Sequence, residues 1–122
     1  MAIQNFADLL STAKNEPSPQ LFLFLFAKAD VQRNSFKTSH SSGTIMPVMC
    51  VDKPTHELST FKALVEEADK ITQKWDFIFI GCLNASIDAE PHLTKMSNDV
   101  ANGSDLSRYV ILDREERPII VA

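Results

Sequence analysis

Leu21–Ala27 has the sequence LFLFLFA, and this run decides which folds the chain can adopt. No polar residue interrupts it, so both faces of an extended segment here must be covered by other parts of the protein. The run is too short for a typical helix, and Pro17 and Pro19 stand just before it, so we predict a strand. A strand covered on both faces is typical of the centre of a sheet with helices on each side.

Around this run the sequence predicts a helix before it and a second strand after it. Asn5 is placed to cap the helix, whose apolar face at helical spacing consists of Ile3, Phe6, Leu9, Leu10 and Ala13. Ile45–Val51 (IMPVMCV) is the second predicted strand. Pro47 has no N–H to donate, which predicts a place near the strand's start or at an edge of the sheet.

Further along, a second amphipathic helix and a third strand are predicted. Thr55 is the expected N-cap of the helix, whose apolar face consists of Leu58, Phe61, Leu64, Val65, Ala68 and Ile71. Trp75–Leu83 (WDFIFIGCL) predicts a strand that is again buried on both faces.

The C-terminal third predicts one helix and a hairpin. Asp88 is the expected N-cap of the helix and Gly103 its end. Tyr109–Leu112 and Pro118–Val121 are expected to pair across the charged turn Asp113–Arg117, which we interpret as a solvated turn.

Together these elements predict a single α/β (α+β) domain over residues 1–122. The expected architecture is a five-stranded mixed sheet flanked by helices, in the order α-β-β-α-β-α-β-β. The unit from Ile45 to Leu83 is expected to be a right-handed crossover between parallel strands. The last two strands are expected to be antiparallel.

Composition argues against several classes of protein. The net charge is −4 and no basic stripe is present, so we predict no nucleic-acid partner. The longest apolar run is far shorter than the roughly 20 residues that span a bilayer, so we predict no membrane association. The first ten residues, MAIQNFADLL, have no basic region, which predicts no signal peptide. The two separated cysteines favour a reducing compartment, and we predict a cytoplasmic protein.

Three segments resemble one family of short proteobacterial proteins: QLFLFLFAKAD, MPVMCVDKPTHELSTFKALVEEAD and WDFIFIGCLN. Members of that family commonly have the label "ribonucleotide reductase subunit alpha". A true catalytic alpha subunit is a much longer barrel enzyme that needs a radical cysteine and a reducing cysteine pair. Nothing in this chain supplies that apparatus, so the resemblance implies a fold and no activity.

The junction after the second predicted strand holds the first candidate pocket, formed by Cys50, Asp52, Lys53 and His56. Ligands of open α/β sheets gather at such strand ends, a nearby helix N-terminus lowers a thiol pKa, and a histidine exchanges protons near neutral pH. The competing interpretation is that Cys50 packs as a small hydrophobe and the other three are solvated. We favour that interpretation, and more strongly still for Cys82.

A second candidate is the polar segment Asp30–Thr44, in which Ser39, His40 and Ser41 offer hydroxyls and an imidazole. A phosphate-binding loop would repeat its glycines and lead directly into a helix, which this segment does not do. Its composition favours disorder. The three histidines are scattered, so we predict no metal site and no cofactor.

The sequence therefore supports three hypotheses of function. The first is a non-catalytic binding or self-assembling module that forms a homo-oligomer through an edge strand containing Ile119, Ile120 and Val121. The second is a small enzyme or thiol-dependent protein that uses Cys50, Asp52 and His56. The third is a small-molecule sensor with a pocket beneath the Ser39–Ser41 segment.

Overall fold

The structure, a computed structural model, describes residues 5–30, 44–103, 106 and 109–119. Its helices are α1 (Phe6–Lys14), α2 (Phe61–Asp69) and α3 (Ala89–Asn102), and its strands are β1 (Gln20–Asp30), β2 (Thr44–Pro54), β3 (Phe77–Asn84) and β4 (Val110–Asp113). The four strands form one antiparallel sheet in the order β2-β1-β3-β4. Helices flank this sheet, so the protein is α+β.

The central place predicted for the LFLFLFA run is confirmed, because β1 has β2 on one side and β3 on the other. Phe22, Phe24 and Phe26 pack with α1 and α2 on one side of the sheet, the α1/α2 face. The intervening side chains, Leu21, Leu23 and Leu25, pack with α3 on the opposite side, the α3 face. Helices on both faces explain why the run has no polar residue.

The prediction of a mixed, five-stranded sheet is wrong in its pairing and its strand number. Phe24 on β1 lies opposite Val51 on β2 and also opposite Ile80 on β3, and both pairings are antiparallel. Consequently β2 and β3 run in the same direction but do not touch, since β1 lies between them. The expected parallel crossover from β2 to β3 therefore passes over β1.

The predicted C-terminal hairpin is present, but its second arm is described only at its beginning. Pro118 forms an isolated bridge with Leu112, and the Ile119 N–H donates to the Ile111 carbonyl at 2.8 Å. Ile120 and Val121 lie outside the described residues. Among the described residues the return arm is thus a bridge and not a fifth strand.

Three of the predicted helix boundaries are confirmed and one is wrong. The Asn5 side chain accepts from the Asp8 N–H, the Asp88 side chain accepts from the Glu90 N–H, and Gly103 ends α3 with a φ of 67°. Helix α2, however, begins at Phe61, and its cap is Thr60, whose hydroxyl accepts from the Ala63 N–H at 3.1 Å.

Thr55, the expected cap, instead opens a single 3-10 turn, Thr55–Glu57, after which Leu58 returns to an extended conformation. Ile71, predicted on the apolar face of the helix, lies beyond its end and is 74% exposed. The helical period alone could not show that the helix stops before Ile71.

The turn after β4 is bound to the core, which corrects our interpretation of it as merely solvated. Asp69 accepts from the Trp75 indole N–H at 3.1 Å and from the Arg114 guanidinium at 2.7 Å. That guanidinium lies 4.0 Å from the centre of the Trp75 ring. Glu116, at an unusual φ of 65°, accepts the N–H of Phe6 at 2.8 Å. The turn therefore joins the start of α1 to the end of α2.

Candidate functional site

An apolar groove lies between β2 and α2. Its cavity of about 220 Å³ lies on the α1/α2 face and opens to solvent beside β2. Phe26 forms the floor, and the walls are apolar residues of β2 and α2 with the exposed Ile71 beyond the end of α2. The lining residues are Phe26, Met49, Cys50, Val51, Lys53, Leu64, Glu67, Ala68 and Ile71.

The alternation of β2 explains which of its side chains face the groove. Met49, Val51 and Lys53 lie opposite the three phenylalanines of β1 that point to the α1/α2 face. Lys53 forms an ion pair with Glu67 of α2, and its side chain is only 19% exposed whereas that of Glu67 is 57% exposed. This pair is the charged rim of an otherwise apolar groove.

A register shift interrupts the pairing of β2 with β1. Met49 lies opposite Phe26 and Pro47 opposite Ala27, so Val48 is an extra residue. Val48 is 38% exposed and Met46 is 48% exposed, which makes them two of the few exposed large hydrophobic residues in the described chain.

β2 is also an edge strand. Within residues 5–30, 44–103 and 109–119 it pairs with β1 alone. The position predicted for Pro47, near the start or on an edge, is therefore confirmed. An edge strand presents a row of backbone N–H and C=O groups to which another strand can bind. The exposed edge and the apolar groove are adjacent parts of one surface, which we call the β2 surface: β2 together with Leu64, Ala68 and Ile71.

The structure does not bring the four predicted pocket residues together. Cys50 and Asp52 lie opposite Leu25 and Leu23, so they belong to the α3 face, although Cys50 also borders the groove. Lys53 belongs to the groove side. His56 lies in the 3-10 turn, and its side chain is 79% exposed. Its Nε2 atom lies 3.8 Å from a carboxylate oxygen of Glu57. His56 borders a different depression, beside the end of α1.

The thiol of Cys50 does not have the environment of an activated nucleophile. Partial burial raises the pKa of Cys50 above the ordinary value, and partial burial together with the charge of Glu16 raises the pKa of Cys82. Both cysteines are free. Because the thiolate is the reactive form, a raised pKa lowers reactivity at neutral pH.

We therefore expect alkylation of Cys50 to be slow at neutral pH. Its rate should still be increasing at pH values above the pKa of an ordinary thiol. The measurement is the rate of iodoacetamide labelling against pH in a Cys82→Ser background, where Cys50 is the only thiol. A rate that already reaches its plateau near neutral pH would show an activated thiolate and would restore the thiol-enzyme hypothesis.

A polar network on the α3 face was not anticipated from the sequence. The carboxylate of Asp99, on α3, accepts from the Tyr109 hydroxyl at 2.8 Å and from the Lys95 ammonium at 3.0 Å. His92 and Lys95 border a cavity of about 110 Å³ beside Gly81. The network joins α3 to the start of β4, and it explains why a buried aspartate is tolerated. Nothing in the spacing of these residues distinguishes Asp99 from a solvated helix residue.

Ser39, His40 and Ser41, with most of the segment between β1 and β2, lie outside the described residues. Within the described ranges, no group of three or more His, Cys, Asp or Glu residues could hold a metal ion.

Comparison with known proteins adds no assignment. A scan of the sequence against protein-family models finds no match, and searches among curated proteins and solved structures find none either. None of the described helices is both long and apolar enough to cross a membrane. Function must therefore be inferred from the β2 surface itself.

Proposed function

We propose that the protein is a non-catalytic module that self-associates when the outer edge of β2 adds to the same edge of a second copy. One observation supports this most: an eleven-residue edge strand borders an apolar groove and exposes Met46 and Val48. In strand addition, backbone hydrogen bonds supply affinity while alternate side chains of the added strand fill a neighbouring groove.

The charge pattern of β2 favours a second copy as the occupant. Residues Ile45–Val51 have no charged side chain, so two such strands can approach each other without burying an unpaired charge. The first charges, Asp52 and Lys53, come only near the end of the strand, and Lys53 is already paired with Glu67. Two identical edges related by a two-fold axis form a closed interface, which is the commonest arrangement of soluble oligomers.

This proposal moves the predicted assembly site from one edge of the sheet to the other. The N–H of Ile119 is used within the chain by its bond to Ile111, and its side chain packs against the α3-face core. Ile120 and Val121 lie outside the described residues. As part of the same proposal we retain a cytoplasmic location without nucleic-acid partners, since free thiols persist in reducing compartments.

We expect Cys50→Lys to weaken the dimer by at least about tenfold, which corresponds to about 1.4 kcal/mol. The reason is that an ammonium group introduced at an edge strand opposes the approach of a second copy bearing the same charge. The measurement is sedimentation equilibrium under reducing conditions across a wide protein concentration range, with far-UV circular dichroism to verify the fold.

Two matched controls isolate the edge. Cys50→Ser introduces no charge at the same position, and Cys82→Lys introduces the same charge on β3, away from the edge; both should leave the association constant unchanged. A wild-type chain that stays monomeric at the highest concentration contradicts the proposal. So does an equal loss of association in Cys82→Lys and Cys50→Lys.

A further inference from the structure

We infer that the second copy adds antiparallel with the two-fold axis at Cys50, so that Met49 of each copy lies opposite Val51 of the other. The inference rests on the proposed strand addition and specifies its register. The register follows from three features of β2: which face each side chain occupies, the extra residue Val48, and the positions of the charges.

The faces restrict the register first. Directly opposed residues of an antiparallel pair lie on the same side of the sheet. Cys50 and Asp52 lie on the α3 face, and Met49, Val51 and Lys53 lie on the groove side. A residue of the first group therefore cannot oppose one of the second group, and this excludes every register whose axis falls between two residues of the regular stretch Met49–Lys53. Within that stretch the axis must pass through one residue that opposes itself.

The extra residue restricts the register next. Pro47 lies opposite Ala27, which belongs to the α3 face, so Pro47 is on the α3 face too. Strict alternation from Met49 would place Pro47 on the groove side, and the extra residue Val48 accounts for the difference. An axis at the extra residue itself would set the two bulges opposite each other, where pairing is disrupted. With the axis at Met49, Val48 of each copy would oppose Cys50 of the other, so no regular pair would flank the axis. The regular part of the edge is thus the stretch from Met49 to Pro54, and the axis lies beyond Met49.

The charges decide among the remaining positions. An axis at Asp52 or at Lys53 sets two like charges directly opposite each other, which is destabilising. An axis at Val51 sets the apolar Met49 opposite Lys53 of the second copy. An axis at Cys50 sets Met49 opposite Val51 twice, and it alone opposes the groove-lining apolar residues to one another within the regular stretch. Asp52 then opposes the extra residue Val48, where the regular pairing has already ended.

This register has a consequence for the groove. Met49 and Val51 form part of its wall in each copy, so their pairing across the axis brings the two grooves side by side on one face of a continuous sheet. The two Cys50 thiols then face each other on the opposite side of that sheet. Both thiols are exposed, so they report the register directly.

The test is zero-length oxidative crosslinking in a Cys82→Ser background. Directly opposed side chains have Cβ atoms about 4.5–5.5 Å apart, near the span of a disulfide, whereas diagonal neighbours are about 7–8 Å apart. We expect Cys50 to form a disulfide-linked dimer at least about tenfold faster than the matched variant Cys50→Ser/Val51→Cys, in which the thiols are diagonal neighbours.

The outcomes separate the register from the proposed function. A chain that remains monomeric by sedimentation refutes strand addition itself, and the register with it. A dimer in which the Val51→Cys thiols crosslink faster than Cys50 retains strand addition and overturns the register. A dimer that crosslinks at neither position overturns the register, and it refutes strand addition as well if Cys50→Lys leaves that dimer intact.

Discussion

Replacing Trp75 with alanine should lower the free energy of unfolding by about 3–5 kcal/mol, the usual cost of truncating a large buried aromatic side chain. Trp75 is almost completely buried, and its ring packs against Phe26 with 5.1 Å between centroids. The substitution also removes the indole donor to Asp69 and the ring beneath Arg114. Since domains of this kind have a total stability of about 5–15 kcal/mol, the variant should unfold far more readily.

The measurement is urea unfolding followed by far-UV circular dichroism, because Trp75 is the only tryptophan and its fluorescence is lost with it. Trp75→Phe is the matched control: it keeps an aromatic ring against Phe26 but removes the N–H donor. It should cost clearly less than Trp75→Ala, since packing accounts for most of the effect. Equal losses in the two variants would mean that the bond to Asp69 outweighs the packing of the ring.

The second large effect is expected for Phe61→Ala, again about 3–5 kcal/mol. Phe61 is buried at the first turn of α2, and its ring lies 6.1 Å from that of Phe6. Its loss would leave a cavity where α1, α2 and β1 meet, while alanine itself favours the helix. Chemical denaturation of the purified variant measures the change.

Lys62→Ala is the comparison for Phe61→Ala, because Lys62 is the next residue of the same helix and is exposed. Its substitution should change the stability by less than about 0.5 kcal/mol. A loss below about 1 kcal/mol for Phe61→Ala would show that this face of α2 contributes little to the core.

Most of the elements could be predicted from the sequence because each has its own local signal. The uninterrupted LFLFLFA run indicates a strand covered on both faces, and the caps at Asn5, Asp88 and Gly103 are short-range side-chain or backbone effects. Pairing has no such local signal. The pattern of β2 and β3 is the same whether they are neighbours or lie on either side of β1, so the mixed sheet was the wrong expectation although β2 and β3 do run in the same direction.

The candidate site shows the same limit. Cys50, Asp52, Lys53 and His56 are close in sequence, but strand alternation places Cys50 and Asp52 on the opposite face from Lys53, although Cys50 also borders the groove. The 3-10 turn separates His56 from all three. The groove depends on where α2 ends and on which edge of the sheet β2 occupies. Pro47 alone hinted at that edge, since a residue without an N–H is tolerated there.

The central place of β1 in the sheet should also affect the exchange of backbone amides with solvent and the rate of folding. The backbone of β1 pairs on one side with β2, the next element, and on the other with β3, and the side chains of Leu21–Ala27 are buried on both faces. We therefore expect its amides to exchange with solvent deuterium only through global unfolding, whereas those at the edge of β2 exchange through local opening. β1 also pairs with β3 across an intervening strand and helix, and such long-range pairing is typical of slower folding. An added strand at β2 would raise the protection of the edge amides toward that of β1.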